Sequence, residues 1–157
     1  MKNRILYWLP VILLPAGNLL MLFFAPMAFI PRTLLFSLIG AMTEELFFRG
    51  LLLREILLPR MKPILAIMLA SIFFAAMHLL NLWNGTLLPA ILPQMFCAFG
   101  FSIWAGAVVW KTNRVMLPLL AHVLLNLTAV TDGTILSLIV SVVVLVDGIL
   151  LMKTEAG

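Results

Sequence analysis

The sequence predicts an all-α integral membrane protein, a bundle of about six transmembrane helices, and three observations support this fold class. Hydrophobic residues make up 64% of the 157 residues and charged residues only 10%. The mean hydropathy is +1.21, which lies far outside the range of a soluble domain. Apolar stretches of membrane-spanning length also recur along the chain, with prolines and basic residues between them.

These apolar stretches set the order of the predicted helices. Two basic residues near the N-terminus, Lys2 and Arg4, precede a long apolar run. This run is too long for a cleaved signal peptide, so we predict a retained first helix. No repeat or long linker divides the sequence, and we predict one domain, 1–157. The six predicted spans cover residues 5–25, 33–58, 63–82, 87–110, 115–130 and 133–152.

Basic residues predict how the bundle is oriented in the membrane. In a six-span arrangement only Arg32 lies opposite the N-terminus, and Arg49 lies inside a span. Lys and Arg concentrate in cytoplasmic loops, so we predict that both termini are cytoplasmic. The same rule accounts for the net charge of +4, and we predict no nucleic-acid partner. The eight remaining basic residues share the N-terminal side: Lys2, Arg4, Arg54, Arg60, Lys62, Lys111, Arg114 and Lys153.

Polar side chains inside the spans are rare, and such residues usually serve a function because burying them in lipid is costly. The single cysteine, Cys97, excludes an intramolecular disulfide and a cysteine-based zinc site. A strip of small residues in the fourth span, comprising Gly100, Ser102, Ala105 and Gly106, is suited to close helix packing. The candidate functional residues are Glu44, Glu45, Arg49, His78, His122 and Asn126.

Two adjacent carboxylates in the second span have different expected partners. Glu45 and Arg49 are four residues apart, so they share a helix face and can form an ion pair that offsets the cost of burying each charge. Glu44 is rotated by about 100° from Glu45 and has no cation at that spacing. We therefore predict that Glu44 is the carboxylate available to take a proton from water.

The two histidines supply complementary groups. His122 and Asn126, also four residues apart, present two hydrogen-bond donors on one helix face, as a developing oxyanion requires. Glu44 lies sixteen residues from Arg60, and His78 lies sixteen residues from Lys62. At about 1.5 Å per residue, both lie roughly 24 Å from the cytoplasmic charges. We therefore expect His78 to help Glu44 orient water, with access from the outer face.

Three motifs resemble those of a known family. Glu44-Glu45-x-x-x-Arg49, Phe74-x-x-x-His78 and His122-x-x-x-Asn126 are similar, in order and in their distribution over three helices, to the motifs of the CPBP family of intramembrane proteases. That family includes the CAAX prenyl endopeptidases and the bacterial abortive-infection-like proteins. The core that carries the motifs covers roughly residues 33–130.

The resemblance implies a glutamate-dependent endopeptidase that cuts near the membrane. It implies that Glu44 and His78 activate water and that His122 and Asn126 form the oxyanion site. Glu45, Arg49 and Phe74 would support that site. The implied substrate is a membrane-anchored protein or peptide whose C-terminal anchor or tail is processed, and the implied location is the bacterial inner membrane. The oligomeric state is left open.

Two other functions fit the same residues. A non-enzymatic membrane protein, such as an immunity factor or a small proton-coupled transporter, could use the glutamates and histidines as a proton relay. A zinc-dependent membrane hydrolase is the other alternative. The sequence contains no His-Glu-x-x-His signature, so we predict no metal or other cofactor.

Overall fold

In the computed structural model, all regular structure in the described residues, 4–16, 29–128 and 135–154, is helical. This confirms the predicted all-α class for that part of the chain. The predicted end of the first span and the predicted break at 131–133 lie outside the described residues. The α-helices are α1 (Arg4–Ala16), α2 (Phe29–Glu45), α3 (Pro63–Met77), α4 (Leu88–Thr112), α5 (Met116–Thr128) and α6 (Ile135–Lys153).

Two helices change their winding partway along. A π-helical segment, Leu46–Leu57, continues α2, and its final turn includes the bond from Leu58 N to Leu53 O at 2.9 Å. A 3₁₀ turn, His78–Leu82, continues α3. The first change follows directly after Glu45, and the second begins at His78, so both occur at candidate site residues. Unusual winding of this kind is frequent at functional sites.

Helix α4 forms the centre of the bundle, and every residue from 100 to 109 is buried. A Cβ atom added at Gly100 would lie 2.8 Å from the backbone oxygen of Ser141 in α6. A Cβ atom added at Gly148 of α6 would lie 2.7 Å from the backbone nitrogen of Trp104. The two helix backbones therefore touch, which confirms the close packing that the small-residue strip predicts.

Helix α5 packs against α1 and α2, while α1 also contacts α6. Trp104 in α4 donates a hydrogen bond from Nε1 to the Leu6 carbonyl oxygen at 3.0 Å, which fastens α1 to the central helix. Packing of α2 on α5 is the contact that matters for the site. It brings the end of α2, where the two glutamates lie, against the face of α5 that carries His122.

The surface of the bundle is apolar, as expected for a protein in lipid. Ile64, Phe73 and Leu92, for example, are each more than half exposed. Among the described residues, two helices are long and apolar enough to cross a membrane, Pro63–Leu82 and Leu88–Thr112. Arg4–Leu13 and Met116–Asn126 are shorter apolar helices. The six-span count and the cytoplasmic termini stay predictions.

Candidate active site

Glu45 is the centre of a buried polar cluster. It is the last residue of α2, and Arg49 lies four residues later in the π-helical segment. Arg49 donates a hydrogen bond from Nη1 to Glu45 Oε1 at 2.9 Å, and the exposed fractions of the two side chains are 1% and 0%. The predicted ion pair is therefore present and fully buried. Each charge compensates the other, which offsets part of the cost of removing both from water.

His122 is a second partner of the same carboxylate. Its Nδ1 lies 2.8 Å from Glu45 Oε1, and a carboxylate oxygen accepts, so Nδ1 is the donor. The sequence predicts His122 as an oxyanion donor but does not predict this bond. The two residues are 77 positions apart, and only the packing of α2 on α5 brings them together. Glu45 therefore accepts hydrogen bonds from two residues, Arg49 and His122.

Glu44 lies on the other side of the same imidazole. Its Oε2 is 3.7 Å from His122 Nε2, and 47% of its side chain is exposed, whereas the His122 side chain is 6% exposed. His122 thus stands between the two carboxylates, with Nδ1 toward Glu45 and Nε2 toward Glu44. The two neighbouring glutamates therefore differ in environment. Glu45 is buried with two donors, whereas Glu44 is half exposed.

His78 approaches this cluster through Phe74. The Phe74 ring contacts both imidazoles edge to face, with centroid separations of 5.8 Å to His78 and 5.8 Å to His122. His78 Nδ1 lies 3.3 Å from the Phe74 carbonyl oxygen. That oxygen can only accept, so a hydrogen bond there requires the proton on Nδ1 and leaves Nε2 for another partner. All three motifs therefore meet around one phenyl ring.

Asn126 lies one turn after His122 on α5 and is partly buried. Neither Asn126 nor His78 is hydrogen-bonded to Glu44 within the described part of the chain. The structure brings Glu44, Glu45, Arg49 and His122 into one continuous cluster, with Phe74 against it. The catalytic roles of these residues stay predictions.

Phe101, in α4, also belongs to this cluster, and the sequence patterns do not reveal it. Its ring centroid is 5.1 Å from that of His122 and 5.3 Å from Arg49 Cζ. The only signal in the sequence is an aromatic residue within the strip of small residues from Gly100 to Gly106. A large side chain there must fill the space that the small neighbours leave, but the sequence does not say what it touches.

Among the residues that the structure describes, no three His, Cys, Asp or Glu side chains are grouped so as to hold a metal ion. Glu45 Oε1 already accepts from Arg49 and His122. The cluster therefore has the hydrogen bonding of a positioned acid and imidazole, an arrangement that can support proton transfer and charge stabilisation.

Comparison with known proteins matches the part of the chain that carries these residues. The family model described as Type II CAAX prenyl endopeptidase Rce1-like matches residues 26–128, about two thirds of the chain. No curated protein and no solved structure matches the chain. The matched region contains α2 to α5 and therefore all three motifs.

Proposed function

Because the chain belongs to the Type II CAAX prenyl endopeptidase Rce1-like family, it is an intramembrane protease, and we propose that it is one of the glutamic type. One observation carries this proposal, namely the unequal division of partners between the adjacent carboxylates. Glu45 Oε1 takes both buried donors, Arg49 and His122. Glu44 Oε2 is 3.7 Å from His122 Nε2, beyond hydrogen-bonding distance, and the Glu44 side chain is half exposed, so it can meet a water molecule.

In the proposed reaction Glu44 acts first as a base and then as an acid. It takes a proton from water while the water oxygen forms a bond to the carbonyl carbon of the scissile peptide. The carbonyl electron pair moves to oxygen and gives a tetrahedral oxyanion. Glu44 then passes its proton to the amide nitrogen, the carbon–nitrogen bond breaks, and an acid and an amine are released. No covalent acyl-enzyme forms.

His122 and Asn126 would stabilise the oxyanion from one face of α5. His122 Nε2 points to the side of the ring where Glu44 lies, and Nδ1 is already used by Glu45. Donation from both nitrogens requires the imidazolium form of His122. With Glu44 and Glu45 ionised and Arg49 charged, that form makes the cluster neutral as a whole, which suits a water-poor site.

His78 would orient the attacking water together with Glu44. The contact of its Nδ1 with the Phe74 carbonyl oxygen leaves Nε2 for the water. The edge contact of Phe74 with both imidazoles supports a single site for the two histidines. In this scheme the side chains alone carry the proton transfers, so we propose that no metal is needed.

We further propose that the substrate is a membrane-anchored protein whose C-terminal anchor or tail is removed. The family name concerns C-terminal motifs, and the apolar exterior places the chain in a membrane. In the proposed six-span arrangement with cytoplasmic termini, Glu44 and His78 lie in the outer half of the bilayer. A site at that depth suits cleavage beside a membrane anchor.

The test compares the unaltered chain with its Glu44→Gln variant in detergent, with two quenched fluorescent peptides as probes. One probe carries an apolar anchor of about 20 residues and a short C-terminal tail. The other ends in a farnesylated Cys-aliphatic-aliphatic-X sequence. Loss of the base should lower kcat about 10²- to 10⁴-fold on whichever probe is cleaved. Activity should persist in a chelator.

Glu55→Gln is the matched control, since Glu55 is an exposed acid in the same helix and pairs only with Arg54 within the described residues. Its kcat should equal that of the unaltered chain. Cleavage retained by Glu44→Gln would exclude the mechanism. Loss of cleavage on chelation would favour the zinc hydrolase, and no cleavage of either probe by the unaltered chain would favour the non-enzymatic alternative.

A further inference from the structure

Arg49 is an unusual buried cation because one of its terminal nitrogens has no hydrogen-bond acceptor. Its side chain is 1% exposed, and Nη1 is used by Glu45. Nη2 is buried and makes no hydrogen bond to a described residue. Leaving a charged N–H group without a partner away from water is costly, so another group must stabilise this end of the guanidinium.

Two phenyl rings lie against the Arg49 guanidinium. Arg49 Cζ is 4.2 Å from the ring centroid of Phe74 and 5.3 Å from that of Phe101. Both distances fall within the range of a cation–π contact, about 6 Å. The face of a phenyl ring carries negative charge, so it attracts the guanidinium without forming a conventional hydrogen bond. Because the two rings are themselves buried, water does not weaken this attraction.

The same two rings also contact His122. The His122 ring centroid lies 5.1 Å from that of Phe101 and 5.8 Å from that of Phe74. Arg49 and His122 are the two donors to Glu45 Oε1, and both therefore lie against one pair of rings. The Phe101 ring packs against the Trp104 ring, at a centroid separation of 5.8 Å, and Trp104 is hydrogen-bonded to the backbone of α1.

We propose that Phe101, together with Phe74, forms an aromatic clamp that positions Arg49 and His122 for the reaction. Phe101 contacts Arg49 and His122, so it is a positioning residue that acts through the donors to Glu45. By holding the His122 ring in place, the clamp keeps Nε2 directed at Glu44. This inference rests on the proposed function for its kinetic consequence, while the contact between Arg49 and the rings is independent of it.

The kinetic test reduces the negative charge on the face of the Phe101 ring and leaves the size of the side chain nearly unchanged. Phe101 is replaced, by incorporation of unnatural amino acids, with phenylalanines carrying one, two and three fluorine atoms. Fluorine withdraws electron density from the ring face, so kcat should fall stepwise, about three- to tenfold in all, with KM unchanged. Phe99, partly buried on the same helix in a separate apolar cluster, is the matched control, and the same series there should leave kcat unchanged.

A second measurement does not require activity. In the Glu44→Gln chain, the side-chain ¹⁵N–¹H signal of Arg49, assigned by its loss in Arg49→Lys, should show a ring-current shift. Phe101→Leu should reduce that shift, and Phe99→Leu should not. Equal kinetic effects at 101 and 99, or an unchanged Arg49 signal in Phe101→Leu, would overturn the clamp. A reduced shift in Phe101→Leu, together with no cleavage of either peptide by the unaltered chain, would instead refute the protease mechanism and retain the clamp.

Discussion

Two buried contacts hold this bundle together in opposite ways, the polar cluster between α2 and α5 and the interface between α4 and α6. In the cluster, Arg49 and His122 satisfy one oxygen of Glu45, so the contact depends on groups that are present. At the interface, Gly100 and Gly148 let backbones touch, so the contact depends on side chains that are absent. The polar cluster is therefore destabilised when a compensating charge is removed, and the α4–α6 interface is destabilised when an added side chain overlaps the opposite backbone.

The two contacts also differ in how closely they adjoin the residues proposed to carry the reaction. The polar cluster lies beside the half-exposed Glu44, and a change there alters both stability and the proposed reaction. The contacts of Gly100 with Ser141 and of Gly148 with Trp104 at the α4–α6 interface involve none of the motif residues. We therefore expect changes at the interface to lower stability, and to alter the reaction only as far as they displace Trp104 from Phe101.

The largest effect on stability should come from Glu45→Ala. Removing this carboxylate leaves the Arg49 guanidinium buried without its counter-charge, which typically costs about 3–5 kcal/mol. The free energy of unfolding, measured by titration with sodium dodecyl sulfate in mixed micelles, should fall by that amount. Peptide cleavage should also be lost in the fraction that stays folded, because His122 is no longer held.

Glu44→Ala is the matched control for this stability measurement. The Glu44 side chain is half exposed and makes no hydrogen bond to another described residue, so its removal should change the free energy of unfolding by less than about 1 kcal/mol. Equal destabilisation by the two alanine variants would show that Glu45 is not the structural centre of the cluster.

Gly148→Ala should have an intermediate effect on stability. The new methyl group would lie 2.7 Å from Trp104 N and 2.8 Å from Trp104 Cα, and backbone atoms cannot move aside as a side chain can. Overpacking of this kind costs about 1–3 kcal/mol, seen as a lower midpoint in the same titration. The kcat of the folded fraction should fall far less than in Glu45→Ala, because no motif residue is changed.

The control is Gly40→Ala in α2, where a new Cβ meets no atom within 4 Å. Alanine is the better helix former by about 0.5–1 kcal/mol, so this variant should be neutral or slightly more stable. A loss of stability at Gly40 as large as that at Gly148 would mean that steric overlap with α4 is not the cause.

Arg54→Gln should have the smallest effect. Arg54 donates to Glu55 at 2.8 Å, but the two side chains are 38% and 59% exposed. Exposed ion pairs contribute about 0–1 kcal/mol, so the titration midpoint should barely move. The contrast with Glu45→Ala tests whether burial, rather than the presence of an ion pair, gives the Glu45–Arg49 contact its importance. A cost near that of Glu45→Ala would contradict that view.

Much of the local architecture follows from sequence. The predicted span 63–82 coincides with α3 and its 3₁₀ turn, and the predicted span 87–110 nearly coincides with α4. Glu45 and Arg49 pair as the spacing of four predicts, because that contact is made within one helix. The π-helical winding after Glu45 is not predicted, since the residues from 46 to 57 are equally compatible with an α-helix.

Contacts between helices follow different rules. A local sequence pattern tells which residues share a helix face, but it does not tell which helix lies opposite or how each is rotated about its axis. The bond of His122 to Glu45 and the place of Phe101 against Arg49 depend on both. Composition and spacing are thus sufficient for the helices and the ion pair within one of them. The meeting of two donors, two rings and two carboxylates required the packed bundle, because helix packing is set by the fit of whole surfaces.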